Sequence, residues 1–128
     1  MKNLFKIALL LVFMTTAKFS IAQTVFYGVI SNTTGCTIQV DIYDNSSNLL
    51  YSNSVGTGPT NISCGTSGVP YYVEFTYNSC TIRLYCGGNQ QNVPATCGSC
   101  TNLNSYDVGC FTDYYCGTIQ NQITININ

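Results

Sequence analysis

The sequence predicts an all-β, disulfide-rich antiparallel sandwich, and three observations carry that prediction. Apolar and polar residues alternate through segment after segment, which is the period of a half-buried strand. No stretch shows the spacing of an amphipathic helix. Eight cysteines lie between Cys36 and Cys116 in a chain of which only 7% is charged. An even cysteine count beyond an export signal reads as a disulfide framework.

Met1–Ala22 reads as a secretory signal peptide. Lys2 and Lys6 supply the positive start, Ile7–Met14 the apolar run, and Ser20-Ile21-Ala22 the small residues before a cleavage that leaves Gln23 first. The run is shorter than the roughly 20 residues a membrane span needs, and Lys18 prevents its extension toward Ala22. The expectation is a secreted chain, extracellular or periplasmic, without a membrane anchor. Residues 23–128 then form a single disulfide-stabilised β domain.

In chain order, Val25, Tyr27 and Val29 alternate with Phe26, Gly28 and Ile30, and Asn32–Gly35 is a turn cluster. Cys36, Ile38, Val40 and Ile42 alternate next. The expectation is a hairpin pairing Val29 with Ile38, Tyr27 with Val40 and Val25 with Ile42, all facing the core. Asn48–Ser54 and Thr60–Cys64 read as strands around the breakers Gly56–Pro59. A second hairpin turns at Asn78-Ser79 and pairs Tyr77 with Cys80, Phe75 with Ile82 and Val73 with Leu84. That register sets Glu74 opposite Arg83 on the outer face, a mildly stabilising pair. Cys36–Val40 resembles Cys80–Leu84, which suggests two similar hairpins or an internal duplication. Gly87–Ser105 is a long loop anchored by cysteines. Tyr106–Cys116 adds a strand, and Ile123, Ile125 and Ile127 form the apolar side of the last.

About seven or eight short strands of this kind suggest a sandwich, immunoglobulin-like or transthyretin-like in general form. A small barrel is the second choice. The inward set is Val29, Ile38, Val40, Ile42, Val73, Phe75, Ile82, Leu84, Ile123 and Ile125. Cys80 and Cys86 share a strand and stand roughly 20 Å apart. They must have different partners, and the same holds for Cys110 and Cys116 if their segment is extended.

Composition narrows the function classes. Beyond the leader the only cation is Arg83, against Asp41, Asp44, Glu74, Asp107 and Asp113, a side-chain charge of −4. One arginine does not bind nucleic acid. With no histidine and no lysine after Ala22, no base activates a serine or threonine. Asp41 and Glu74 give no reason to meet as a catalytic pair. Cys97-Gly98-Ser99-Cys100 has redox spacing but lacks the fold and nearby cation that chemistry uses. Disulfides also outweigh a zinc site built from Cys86, Cys97, Cys100 and Cys110. Asp44–Asn48 opens like a calcium loop, yet Leu49 and Val55 occupy the positions that need Gly and Glu. It reads as a polar turn. Asn32, Asn45 and Asn61 begin glycosylation triplets that an Asn-rich chain matches by chance.

No cofactor, metal or catalytic residue is expected, and all of Cys36, Cys64, Cys80, Cys86, Cys97, Cys100, Cys110 and Cys116 are expected in disulfides. The function expected is a non-enzymatic binding or adhesion module for a protein or glycan partner. Tyr43, Tyr72, Tyr85, Tyr114 and Tyr115 would bind together with the Gly87–Ser105 loop, because Tyr amid Ser, Gly and Asn makes adaptable surfaces. The alternatives are a structural subunit self-associating through the edges Val25–Ile30 and Ile123–Ile127, and a toxin or inhibitor on a disulfide scaffold.

Overall fold

The computed structural model describes residues 24–128 apart from Asn89 and Ser99. The leader expected over 1–22 lies outside the described residues. Nine strands follow in order: β1 Val25–Asn32, β2 Ile38–Tyr43, β3 Leu49–Val55, β4 Gly58–Ser67, β5 Tyr72–Tyr77, β6 Cys80–Tyr85, β7 Gln91–Asn92, β8 Ser105–Tyr115 and β9 Thr118–Ile127. They form two open sheets, ordered β4-β1-β9-β8-β7 and β3-β2-β5-β6. The molecule is therefore a sandwich and not a barrel. The helical content among the described residues is one short 3-10 turn, Ala95–Cys97.

Alternation explains the core. Ile38, Val40 and Ile42 of β2, Val73 and Phe75 of β5, and Ile82 and Leu84 of β6 line one inner face. Phe26 and Ile30 of β1, Val108 of β8 and Ile123, Ile125 and Ile127 of β9 line the other. Phe75 and Tyr106 stack across the gap with ring centroids 4.3 Å apart. The β5–β6 hairpin has the expected register throughout, including Glu74 opposite Arg83.

The first expected hairpin is corrected. β1 does not pair with β2: it runs antiparallel to β4 and parallel to β9, in the other sheet. Asn32 explains the crossover. Its side chain is buried, its Oδ1 accepts from the N–H and hydroxyl of Thr34, and its Nδ2 donates to the carbonyls of Cys36 and Val55. An arch satisfied by a side chain replaces the two-strand turn, so Cys36–Val40 and Cys80–Leu84 do not belong to two similar hairpins. The core face of β1 is Phe26, Gly28 and Ile30, so the expected Val25, Tyr27, Val29 face points outward and Val29 is only half-buried. Both faces of β1 are apolar, so alternation alone fits either.

A second correction concerns the sheet edges. β1 and β9 lie in the middle of the five-stranded sheet, so Val25–Ile30 and Ile123–Ile127 are flanked by strands on both sides. The strand-addition reading loses the edges on which it rested.

The disulfides are Cys36–Cys100, Cys64–Cys116, Cys80–Cys97 and Cys86–Cys110, with Cα separations of 6.0, 6.1, 5.1 and 5.3 Å. Cys80 and Cys86 have different partners, as do Cys110 and Cys116. The Cys97–Cys100 motif is not a redox pair, since each sulfur bonds elsewhere. Cys86–Cys110 joins the two sheets. Cys36–Cys100 and Cys80–Cys97 pin the 87–105 loop, which packs Val93, Cys97 and Leu103 onto the core.

Candidate functional site

Two tyrosine clusters lie on opposite sheets. On the outer face of the four-stranded sheet, Tyr43 stacks on Tyr72 at 4.8 Å, and Tyr85 and Tyr71 lean on the pair. Cross-strand register accounts for the row, since Tyr43 is opposite Tyr72 and Tyr72 opposite Tyr85. The Arg83 guanidinium lies 4.3 Å above the Tyr72 ring. Tyr72, expected as an open binding residue, is buried under these neighbours at 5% exposure. Burial also pushes the Tyr43 phenol above its ordinary pKa, with Asp41 and Glu74 adding to the rise.

The polar groups on this face are bonded to one another. Gln39 Nε2 donates to Asp41 and to Ser52, Ser52 donates to Asp41, and Ser54 donates to Gln39. Thr76 bonds Thr81, and Arg83 reaches Glu74 Oε1 at 2.6 Å. Asp41 and Glu74, not expected to meet, are direct cross-strand partners. Each carboxylate is nevertheless turned to its own partner, Asp41 to Gln39 and Ser52, Glu74 to Arg83. The Asp44 turn is likewise closed on itself. Its carboxylate accepts from Asn48 and Ser46, which holds its pKa below the ordinary range.

The second cluster sits on the outer face of the five-stranded sheet. β8 and β9 form a long hairpin whose turn, Cys116-Gly117, has φ of 57° and 82°. Positive φ at both central residues matches the twist of paired strands, and glycine meets it without strain. This hairpin carries the exposed residues Phe111, Tyr114, Tyr115 and Ile119. Two devices hold its tip to the sheet. Cys116 is bonded to Cys64 on β4, where the strand departs from regular register opposite Tyr27. The Gln120 side chain, 5% exposed, accepts from the Gly65 N–H and donates to the Tyr115 carbonyl and the Thr118 hydroxyl.

The result is a trough of about 510 Å³ floored by Gly28 and Val29 and lined by Tyr27, Asn61, Ser63, Asp113, Tyr115 and Gln122. Its volume lies in the range of small-ligand sites. Tyr27 and Tyr115 stack at 4.9 Å, and the Tyr27 hydroxyl donates to Asp113 Oδ2 at 3.2 Å. Desolvation, then the hydrogen bond and charge of Asp113, raise the Tyr27 pKa. Among the described residues, the side chains of Asn61, Ser63 and Gln122 have no hydrogen-bond partner within the protein.

Of the residues expected to bind, the structure thus brings Tyr115 into this trough and leaves Tyr114, also exposed, outside its lining. Tyr43, Tyr72 and Tyr85 form the other cluster. Tyr27, Asn61, Ser63, Asp113 and Gln122 are not among the expected site residues, because a β1–β2 hairpin would have turned Tyr27 into the core. Gly28 is the available signal: a strand face with a glycine at its centre suits close packing against a neighbour.

No family model, curated protein or solved structure matches this chain.

Proposed function

We propose that this chain acts outside the cytoplasm as a non-enzymatic binding module, with the trough between Tyr27, Tyr115 and Asn61 as its ligand seat. One contrast supports this reading. The polar side chains of the four-stranded sheet satisfy one another, whereas Asn61, Ser63 and Gln122 stand unpartnered beside an exposed aromatic wall. Convergent free polar groups against an apolar surface are what a recognition site needs. The disulfide at the hairpin tip holds that wall in place before a ligand arrives, which lowers the ordering cost of binding. Four disulfides favour an oxidising compartment, and among the described residues no helix is long and apolar enough to cross a membrane.

The test is an array of immobilised glycans and peptides probed with the oxidised chain. A ligand should emerge whose capture falls about three- to tenfold with Tyr115→Ala and is unchanged with Tyr85→Ala. The opposite ranking of those two variants would move the seat to the other sheet.

A further inference from the structure

We infer that the ligand of the trough is a neutral carbohydrate, a pyranose unit with its C–H face on the Tyr115 ring and its hydroxyls bonded to Asn61, Ser63 and Gln122. This rests on the trough being the ligand seat.

Three features of the lining select that chemistry. The first is the aromatic wall. One face of Tyr115 is taken up by Tyr27, at 4.9 Å and 26° between planes, yet the residue remains 58% exposed. A ring supported from behind and bonded through the adjacent Cys116 is a rigid, flat, apolar platform. The apolar face of a sugar ring fits such a surface through weak C–H contacts with the aromatic face.

The second is the set of free polar groups. A sugar hydroxyl both donates and accepts. Asn61 and Gln122 each present a carbonyl and an amino group, and Ser63 a hydroxyl, so both needs are met. Asp113 adds acceptor capacity. Its Oδ2 takes the Tyr27 hydroxyl and its Oδ1 the Tyr114 N–H, and a carboxylate has about four acceptor sites.

The third is charge. Among the described residues, no cation lines the trough. Arg83, the sole cation after residue 22, is on the other sheet against Glu74. Phosphates, uronic acids and other anions would meet Asp113 with nothing to neutralise them. An extended peptide is disfavoured for a different reason. The floor strand β1 is paired on both sides, so the floor offers no main-chain ladder, and strand addition is left only to the outer edge of β4.

The experiment is an amide NMR titration of the oxidised, isotope-labelled chain with neutral oligosaccharides (cello-, xylo-, manno- and chito-oligomers), glucuronate, inorganic phosphate and choline. At least one neutral oligosaccharide should shift Asn61, Ser63, Tyr115 and Gln122. Tyr115→Ala should weaken its binding about three- to tenfold and Tyr115→Phe leave it nearly intact. Shifts of these residues by glucuronate, phosphate or choline alone would overturn the carbohydrate assignment and keep the seat. Shifts confined to Tyr43, Tyr71 and Tyr85, or none with any probe, would overturn both.

Discussion

Gly28 shows how much one residue can decide. It lies in the middle of β1, and a β-carbon there would fall on the carbonyl oxygen and Cγ2 of Ile123 on β9. Backbone does not give way as a flexible side chain does. Gly28→Ala should therefore destabilise the fold by about 1–3 kcal/mol, read as a lower urea midpoint at unchanged slope. Tyr106 gives a second residue-scale prediction. Burial between the sheets, helped by Tyr77, pushes its phenol up to about 12. In the unfolded chain a phenol ionises near pH 10. Below about pH 10 both states keep the proton and the stabilising effect of Tyr106 is complete. From about pH 10 to about 12 the unfolded state loses its proton first, so stability falls as pH rises. Urea melts at neutral pH and across that window should show the fall, and Tyr106→Phe should make it smaller.

At the scale of elements, the β8–β9 hairpin depends on its tether. The Cys64→Ser/Cys116→Ser double variant opens a loop of 52 residues and should lose about 2–4 kcal/mol of stability. The loss should not be uniform. Amides of Thr112–Ile119 should exchange with solvent faster than those of β2 and β5, whose buried Ile38, Val40, Ile42, Val73 and Phe75 still hold them in the core. Equal acceleration everywhere would mean that the tip has no independent stability. The elements also show what the sequence could convey. Alternation located nearly every strand, and the β5–β6 register was legible because its turn is short and a one-residue slip would separate Glu74 from Arg83. β1 was legible as a strand but not in its partners. A parallel pairing between residues such as Phe26 and Asn121 leaves no local trace, and Asn32 looks like an ordinary turn residue until its four hydrogen bonds are seen. The trough inherits that gap. It needs β1, β4, β8 and β9 side by side, and only long-range pairing puts them there.

For the molecule as a whole, the first and last strands lie side by side in the interior of one sheet. β9 is flanked by β1 and β8, and its Ile123, Ile125 and Ile127 are fully buried. Deleting Gln122–Asn128 would remove three core isoleucines, each contributing about 1.5–3 kcal/mol by burial. It would also split the five-stranded sheet, leaving β1 paired to β4 alone and β8 only to the two-residue β7 and the remaining 118–121 stub, next to an open core. A loss of that size equals or exceeds most of the roughly 5–15 kcal/mol that separates folded from unfolded domains. The disulfides do not offset it, because none has a cysteine on β9 and they act mainly by constraining the unfolded chain. The truncated chain should lack the near-UV circular dichroism of packed tyrosines even under oxidising conditions. A deletion confined to Asn128, which is exposed, should keep it. If the longer deletion retained native near-UV signal and the native disulfide map, β9 would be an accessory strand and not the centre of the five-stranded sheet.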